Sequence, residues 1–555
     1  MTGPAAPVAQ DGQQPEARQP SATGIGIGRA AALIGGLTIL ARLLGLVRTL
    51  VFAKTVGATC LGTAYITANT LPNIVYDIVL GGALTSIMVP VLARPAARSG
   101  ADAAATAQVR QTSSALLTWT TLILAPVSVV IAVAAGPLAR LLNPVNPTGH
   151  CARAALVTVT RPMLEVFAPQ ILLYGLAVVL YGILQAHRRF AAPALAPVLS
   201  SLIVIGVYIA FVPLGGAHAN RLSGLPLRAE LLLSAGTTAG VAALALTAAV
   251  PAWRLRLRVR PTLRFPPGVS RRIGSLAVFG IVALVAQDAS QLTVILLANG
   301  HGTRAAIVLY QYGWQVFEAA YAVLAISIAV SAFPALSVRE GAEFDNTAAG
   351  SVRATLLMSF LGAAIVLAVA LPAAHFLASR HAQVGQLAAG FALFAPGLIG
   401  YGLVACLSRV LLADRRSGAA AGRVGAGWLL VIATDVVLVT VAPATWAVAM
   451  LALGNTVGLT AAGVALLVAV RRARGAAALA GTGRAALSGL AAAVVGGAAG
   501  AAAATGLASP RPVAEAVVAL IAAACAVTAF ALVAFLLDGG ELRAAVIRLR
   551  AGELR

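Results

Sequence analysis

The sequence predicts an all-α, polytopic membrane protein of about 14 transmembrane helices. Of its 555 residues, 60% are hydrophobic and 10% are charged, whereas a soluble domain is about half apolar and about one quarter charged. Apolar stretches recur between short arginine-bearing breaks, and many approach the roughly 20 residues that a helix needs to cross the hydrocarbon core. Because lipid offers no hydrogen-bond partners, such stretches must fold as helices.

The elements follow in order along the chain. Residues 1–28 are rich in Pro, Gln and Ala and lack the apolar core of a signal peptide, so a disordered cytoplasmic tail is expected. Hydropathy predicts spans at 30–53, 64–92, 113–135, 163–185, 193–212, 230–250, 273–298, 305–336, 353–378, 386–408, 424–442, 445–470, 485–505 and 513–537.

Two lobes of six helices around a central cavity, plus two C-terminal helices, are the predicted architecture. The Ala/Gly-rich stretch at 491–506 is the hardest to assign, because helix and linker look alike there. The predicted divisions are a tail (1–28), an N-lobe (29–252), an arginine-rich cytoplasmic linker (253–272), a C-lobe (273–472), the last two spans (473–538) and a cytoplasmic tail (539–555).

The distribution of basic residues supports this topology with both termini in the cytoplasm. Of the 39 Lys and Arg residues, 28 fall in segments predicted as cytoplasmic and 9 in external loops, as the positive-inside rule requires. This pattern explains the net charge of +22 without a nucleic-acid partner. The densest segment, 253–264, is interpreted as a positive-inside linker or, alternatively, as a contact to anionic membrane lipids.

Motifs of enzymes and metal sites are missing from the sequence. The four cysteines, Cys60, Cys151, Cys406 and Cys525, are far apart and form no CxxC pair, so neither a zinc site nor a disulfide framework is expected. The only lysine, Lys54, does not follow a glycine-rich phosphate loop, which excludes a Walker A motor. No catalytic grouping occurs in a supporting context, and we expect no enzyme activity.

Two arginines in the first predicted span are the strongest candidates for function. Arg42 and Arg48 are six positions apart in ARLLGLVR, about 9 Å along a helix axis. Ionisable groups at membrane depth are costly and mark functional sites. Guanidinium groups match phosphate or carboxylate, so the pair suits a cargo with a pyrophosphate. Snorkelling to an interface, or an ion pair with Asp77, remains the structural alternative.

Polar residues on the second and eighth spans extend this candidate site. Asn73, Tyr76 and Asp77 follow Pro72, which interrupts the backbone ladder and can expose carbonyl groups to a cavity. Asp77 could pair with an arginine or gate the cavity. Gln315 and Glu318 make one side of the eighth span polar, which fits a helix that faces a hydrated cavity.

Two further acids, Asp288 and Asp435, lie inside predicted spans. Their carboxylate oxygens could bind a coupling cation, either Na⁺ or H⁺, with no other cofactor expected. Helix-pairing hydrogen bonds explain both residues equally well.

The stretch at 42–92 resembles the opening of the MviN/MurJ family, the lipid II flippases of the multidrug/oligosaccharidyl-lipid/polysaccharide exporter superfamily. Shared features are the arginine pair around Leu-Gly, the Gly-Ala after the first span, Leu-Pro-Asn, and Gly-Ala before Val-Pro-x-Leu. The remainder agrees in span count and in AFPALS at 332–337. Arginine used almost to the exclusion of lysine is typical of a GC-rich genome, such as that of an actinobacterium.

The resemblance implies a flippase in the bacterial cell membrane that moves undecaprenyl-pyrophosphate-linked disaccharide-pentapeptide outward for peptidoglycan synthesis. Arg42 and Arg48 would then bind the pyrophosphate, and Asp435, with Asp288, would match the family's sodium site. Tyr76 and Gln315 stand where members often carry further arginines, so this cavity is less cationic. Alternatives are a flippase for another polyprenyl-linked glycan, or a transport-inactive scaffold for the cell-wall synthesis machinery.

Overall fold

A computed structural model describes the backbone of residues 24–78, 92, 95–98, 102–147, 151–255, 260–265, 269–378, 380–507 and 512–550. Within these ranges the chain is almost entirely helical and forms no β-strand. Of the predicted disordered tail at 1–28, residues 1–23 lie outside the described residues, whereas residues 24–28 are helical and begin the first helix.

Seven α-helices lie in the described part of the first half of the chain. They are α1 (Gly24–Thr55), α2 (Cys60–Ile78), α3 (Ala103–Val133), α4 (Ala135–Leu142), α5 (Arg153–Ala186), α6 (Ala191–Gly215) and α7 (Leu227–Trp253). Asp102 caps α3, because its carboxylate accepts a hydrogen bond from the Ala104 N–H at 2.8 Å.

The second half continues the pattern. Its helices are α8 (Val269–His301), α9 (Ala306–Ala320), α10 (Ile326–Val338), α11 (Gly341–Leu377), α12 (His381–Phe394), α13 (Gly397–Ala413), α14 (Ser417–Val441), α15 (Ala447–Arg474), α16 (Thr482–Gly506) and α17 (Pro512–Arg550). A π-helical turn, Tyr321–Ala325, joins α9 to α10. Gly475 and Gly481, both with positive φ, permit the turn between α15 and α16.

Thirteen stretches in the described ranges are long and apolar enough to cross a membrane, against the 14 predicted spans. The difference is α2, which is not among them, and the rest of its predicted span, 79–91, lies outside the described residues. The Ala/Gly-rich α16 is a full helix. Helix α17 continues to Arg550, so most of the segment predicted as a tail extends the last helix.

Packing divides the helices into two groups. In the first half, α1 packs on α6, while α5 packs on α2, α3 and α7. In the second, α15 packs on α12, α13 and α14, and α8 packs on α14. Glycine allows α13 and α15 to approach closely, because a Cβ at Gly400 would lie 2.5 Å from the Thr460 backbone nitrogen. Helices α16 and α17 pack on each other and on α11.

The two lobes meet mainly at one end of the bundle, which the predicted topology places outside and which we call the external end. There, Asn299 of α8 donates hydrogen bonds to the Thr67 hydroxyl at 3.0 Å and to the Leu142 carbonyl at 2.9 Å. Lys54 donates to the Phe376 carbonyl at 2.6 Å. A shared core joins the lobes, with Phe52 edge-on to Tyr312. The external end is therefore closed.

One expectation about the cysteines is wrong. Cys60, at the start of α2, and Cys151, before α5, form a disulfide bond. The two positions are 91 residues apart, so no local motif could reveal the pairing. They meet because the loops before α2 and α5 both lie at the external end, and disulfides form in oxidising extracellular compartments. Cys406 and Cys525 are free.

Candidate anion-binding cavity

A central cavity of about 170 Å³ lies between the first-half helices and α9. Its lining is dominated by polar and aromatic side chains, which would be costly to expose to lipid alone. The lining residues are Arg48, Thr49, Phe52, Tyr65, Ile66, Asn69, Thr70, Asn73, Tyr174, Ser200, Val204, Tyr208, Thr237, Val241, Gln311, Tyr312 and Gln315. The wall contains residues from both lobes, so relative movement of the lobes must change its shape.

Among the described residues, Arg48 is the only charged one in this lining. Its side chain is half-buried and lies in the last third of α1. It lies within electrostatic range of the phenolic groups of Tyr65, Tyr174 and Tyr208. Within the described parts of the chain, no acidic group forms a salt bridge with it. A cation at membrane depth without a counterion favours an anionic ligand.

Hydroxyl groups form a buried network beside Arg48. The Tyr65 hydroxyl lies 2.9 Å from that of Tyr208 and 2.8 Å from that of Thr237. Thr237 in turn donates to the Leu233 carbonyl at 2.6 Å. The network gives each of these three hydroxyl groups a hydrogen-bond partner inside the lobe. It also fixes the wall against which a ligand would rest.

Asn73 and Gln315 line the cavity, and Tyr76 lies next to it. The Tyr174 hydroxyl donates to Asn73 Oδ1 at 3.1 Å, and the Tyr76 and Tyr174 rings are 4.5 Å apart. Gln315 Oε1 accepts a hydrogen bond from Thr49, which joins α9 to α1 across the lobes. Tyr76 supports the wall through Tyr174 but does not line it.

Arg42 and Asp77 lie outside the cavity lining. Both side chains are exposed, on the side of the cavity away from the closed external end. Arg42 is in electrostatic range of Glu318, and Glu318 is in range of Asp77. No salt bridge of Asp77 with arginine is found in the described part of the chain. The structure thus separates the two arginines: Arg48 lies in the cavity and Arg42 at its approach.

Asp288 and Asp435 occupy different surroundings. Asp288 is buried and in electrostatic range of Asp77. Asp435 is fully buried, and neither of its carboxylate oxygens has a hydrogen-bond partner among the described residues. Its electrostatic neighbour is Tyr310, whose hydroxyl accepts a hydrogen bond from Asn455 at 3.0 Å. The two acids therefore have different neighbours, and their role as one cation site stays a prediction.

Several lining residues were not identified from the sequence. Tyr65, Tyr174, Tyr208 and Thr237 are spread over four helices. The available signal was polarity inside an apolar span. This signal is weak for Thr, whose hydroxyl can bond to its own helix backbone, and for Tyr, whose ring is largely apolar.

Comparison of the sequence with known proteins identifies its family. The sequence model described as lipid II flippase MurJ matches residues 52–529. The lipid II flippase MurJ of Burkholderia cenocepacia is 30% identical over 191 residues, 33% of this chain and 34% of that protein. A probable lipid II flippase MurJ of Rhizobium meliloti is 25% identical over 360 residues, 63% of each chain. The chain thus spans 34% to 63% of the length of these two relatives.

Solved structures share the fold. A lipid II flippase MurJ in an inward closed conformation superposes with a TM-score of 0.68, at 14% identity, over 91% of this chain and 98% of that one. An inward-facing multidrug resistance transporter of the MATE family gives a TM-score of 0.62, also at 14% identity, over 80% and 98%. Fold likeness alone does not select between these families, but the sequence model covers most of the chain. The chain therefore belongs to the lipid II flippase MurJ family.

Proposed function

We propose that this protein translocates lipid II, the undecaprenyl-pyrophosphate-linked peptidoglycan precursor, from the inner to the outer leaflet of the bacterial cell membrane. The observation that carries the proposal is Arg48, an intramembrane guanidinium that lines a polar cavity and has no acidic salt-bridge partner among the described residues. A pyrophosphate supplies the missing negative charge.

Alternating access is the proposed mechanism. The external end is closed by contacts between the lobes, including the bonds from Asn299 and Lys54, so cargo would enter from the cytoplasmic side. Arg42, exposed at the approach, would meet the pyrophosphate first, and Arg48 would hold it in the cavity. The polyprenyl chain would stay in the bilayer, because moving it into a polar cavity has no hydrophobic benefit. The lobes would then separate at the external end.

Coupling to a Na⁺ or H⁺ gradient, or to the membrane potential, would drive the cycle. Asp435 supports this part of the proposal, because a buried carboxyl group with no hydrogen-bond partner must be protonated or bind a cation. Asp288 would contribute from α8 if the lobes rearrange.

Both termini are proposed to be cytoplasmic. The excess of arginine in the predicted cytoplasmic segments and the Cys60–Cys151 disulfide at the opposite end support this orientation. We also propose that the protein contacts anionic lipids and the cell-wall synthesis machinery.

Another polyprenyl-linked glycan is the second candidate cargo. Arg48 is the only charge that the described residues bring to the cavity lining, and Gln315 is already engaged with Thr49. Such a cavity recognises a pyrophosphate without selecting the sugar attached to it. A transport-inactive scaffold is the third candidate, and it would not need Arg48 at all.

Complementation tests the proposal. The host's own lipid II flippase is depleted, this chain or a variant is expressed, and lipid II that reaches the outer leaflet is measured. We expect wild type to restore transport and Arg48→Ala to reduce it about 100-fold, because a charge-assisted contact worth about 3 kcal/mol is lost. Arg472→Ala, an exposed arginine at the end of α15, is the matched control and should transport normally.

Three results would separate the candidates. A correctly inserted wild type that does not move lipid II excludes that cargo. If it instead exposes a different polyprenyl glycan in an Arg48-dependent manner, the second candidate is supported. Rescue of growth by Arg48→Ala without lipid transport would support the scaffold.

A further inference from the structure

The loops that the predicted topology places outside are basic or uncharged. They carry 9 Lys and Arg residues and contain no Asp or Glu. The loops in question are 54–63, 136–162, 213–229, 299–304, 379–385, 443–444 and 506–512. An excess of one sign of charge around a cleft raises the local concentration of counterions, so anions should concentrate at this end of the molecule.

A second cavity, of about 100 Å³, lies at this external end between the lobes. Its lining includes two arginines, several amides and hydroxyls, and no acidic side chain. The lining residues are Thr63, Asn143, Pro144, Val145, Asn146, Cys151, Arg153, Leu156, Ala298, Asn299, Thr303, Arg304, Ala305 and Ala306. Those numbered below 160 belong to the first lobe and those above 290 to the second.

Arg304 supplies the charge from the second lobe. Its Nε atom is buried and has no hydrogen-bond partner among the described residues. Its Nη1 atom reaches Asn220 Oδ1 at 3.5 Å, the outer limit for a hydrogen bond. Burial and the nearby Arg380 guanidinium lower the pKa of Arg304 from its ordinary value. The guanidinium therefore lacks negative charge around it.

Arg153 supplies the charge from the first lobe. Its Nε donates to the Asn143 carbonyl at 2.8 Å and its Nη2 to the Arg140 carbonyl at 3.3 Å. These bonds hold the guanidinium at the cavity. Ala305 and Ala306 bring the N-terminus of α9, with its positive end of the helix dipole, to the same cavity.

We propose that this external cavity binds a phosphate-class oxyanion, which joins Arg153 of one lobe to Arg304 of the other and stabilises the closed external end. The anion adds charge-assisted hydrogen bonds that exist only while the lobes are together. A ligand that binds one of two conformations shifts the population toward it. The bound anion thus favours the inward-facing conformation.

This site is separate from the central cavity. Helix α9 contributes to both, through Ala305 and Ala306 outside and through Gln311 and Gln315 inside, and the buried Val308 and Leu309 lie between. The proposal holds whatever cargo is transported. Two sources of the anion share this chemistry, free phosphate and the phosphate of a lipid headgroup.

Binding is measured first, on the full chain in nanodiscs of phosphatidylcholine, by calorimetric titration with inorganic phosphate. Arg42→Gln and Arg48→Gln are present throughout, so that the central cavity does not contribute. We expect saturable binding that weakens about tenfold or more in Arg304→Gln and in Arg153→Gln, because each loses a charged donor. Arg221→Gln, an exposed arginine of another external loop, is the control and should bind as before.

Thermal unfolding without phosphate checks that each variant is folded. Arg304→Lys keeps the charge and loses the planar fork, so it should retain part of the affinity. Absence of saturable binding in the folded background protein, or unchanged affinity in folded Arg304→Gln, would overturn the proposal.

The conformational effect is measured at Lys54, the only lysine of the chain. Its Nζ bonds to the Phe376 carbonyl and lies 4.5 Å from the centre of the Phe376 ring, so it reacts faster when the lobes separate. Modification by an amine-specific reagent is followed by mass spectrometry. We expect phosphate to slow this reaction in the background protein and not in Arg304→Gln.

Lipid composition distinguishes the two sources. If phosphatidylglycerol nanodiscs protect Lys54 without added phosphate, and Arg304→Gln removes the protection, the lipid headgroup is the anion. Protection that requires added phosphate in both lipids identifies the free anion. No Arg304-dependent protection under any of these conditions would contradict the role in closing the external end.

Discussion

Arg48 and Asp435 are both ionisable residues in membrane helices, but their surroundings differ. Arg48 lines a polar cavity that a ligand can enter. Asp435 is fully buried between helices, and its carboxylate oxygens have no hydrogen-bond partner among the described residues. The first arrangement suits recognition of a large anionic cargo. The second suits only a small cation or a proton, because no space is left for anything larger.

Gly454 provides a test of how tightly Asp435 is enclosed. A Cβ at this position would lie 1.9 Å from Asp435 Oδ1 and 3.2 Å from its backbone nitrogen. We expect Gly454→Ala to destabilise the protein by about 1–3 kcal/mol, since both helices must shift. Gly422→Ala meets nothing within 4 Å and should be neutral or stabilising by about 0.4–1 kcal/mol. Equal midpoints of thermal unfolding for the two variants would contradict this packing.

The arginine-rich linker is an element whose position the sequence did not reveal. Residues 260–265 lie along α3 and are bound to it at several points. The Trp119 indole donates to the Leu263 carbonyl at 3.2 Å, and the Gln111 amide donates to the Arg264 carbonyl at 3.2 Å. The Thr262 N–H donates to the Thr118 hydroxyl, also at 3.2 Å. This part of the linker therefore belongs to the first lobe and should move with it.

Hydrogen exchange tests this attachment. Thr118→Val removes the acceptor of the Thr262 N–H, and the loss of about 1 kcal/mol should speed exchange of that amide about fivefold. Thr121→Val is the control, because the Thr121 hydroxyl bonds to Leu117 of its own helix. Unchanged exchange at residue 262 in Thr118→Val would show that the linker is not held by α3.

At the scale of the whole molecule, a small set of polar contacts between the lobes adds to the shared core that closes the external end. Asn299 is central to them: it donates to Thr67 and to the Leu142 carbonyl, and its own carbonyl accepts from Asn146 at 2.9 Å. Gln383 adds a bond to the Ala58 carbonyl at 3.1 Å. Contacts of this kind can break and re-form in each transport cycle, whereas a large dry interface would hold the lobes together permanently.

Asn299→Ala should shift the molecule toward an outward-open conformation. Loss of the two side-chain bonds costs about 1–3 kcal/mol, which corresponds to a population change of about 5-fold to about 150-fold. The probe is Asn69→Cys in the central cavity, labelled from outside intact cells by an impermeant maleimide in a Cys525→Ser background. Faster labelling is expected with Asn299→Ala but not with the exposed-residue control Arg221→Ala. Equal rates would mean that Asn299 does not help to close the external end.

Hydropathy was sufficient to predict an all-α membrane protein and the approximate positions of most of its spans. These features depend on the transfer of each segment into lipid, which is a local property of the chain. The same reasoning selected Arg48, Asn73 and Gln315, because polar groups at membrane depth are rare enough to be conspicuous.

Long-range packing had to be seen in three dimensions. Four features depend on how distant parts of the chain pack together. They are the Cys60–Cys151 disulfide, the position of Arg42 outside the cavity, the hydroxyl network at Tyr65 and the external cavity between Arg153 and Arg304. Hydropathy is summed over neighbours in sequence, so it carries no information about which helices face each other. That depends on side-chain packing across helix interfaces, which is where cavities and paired charges arise.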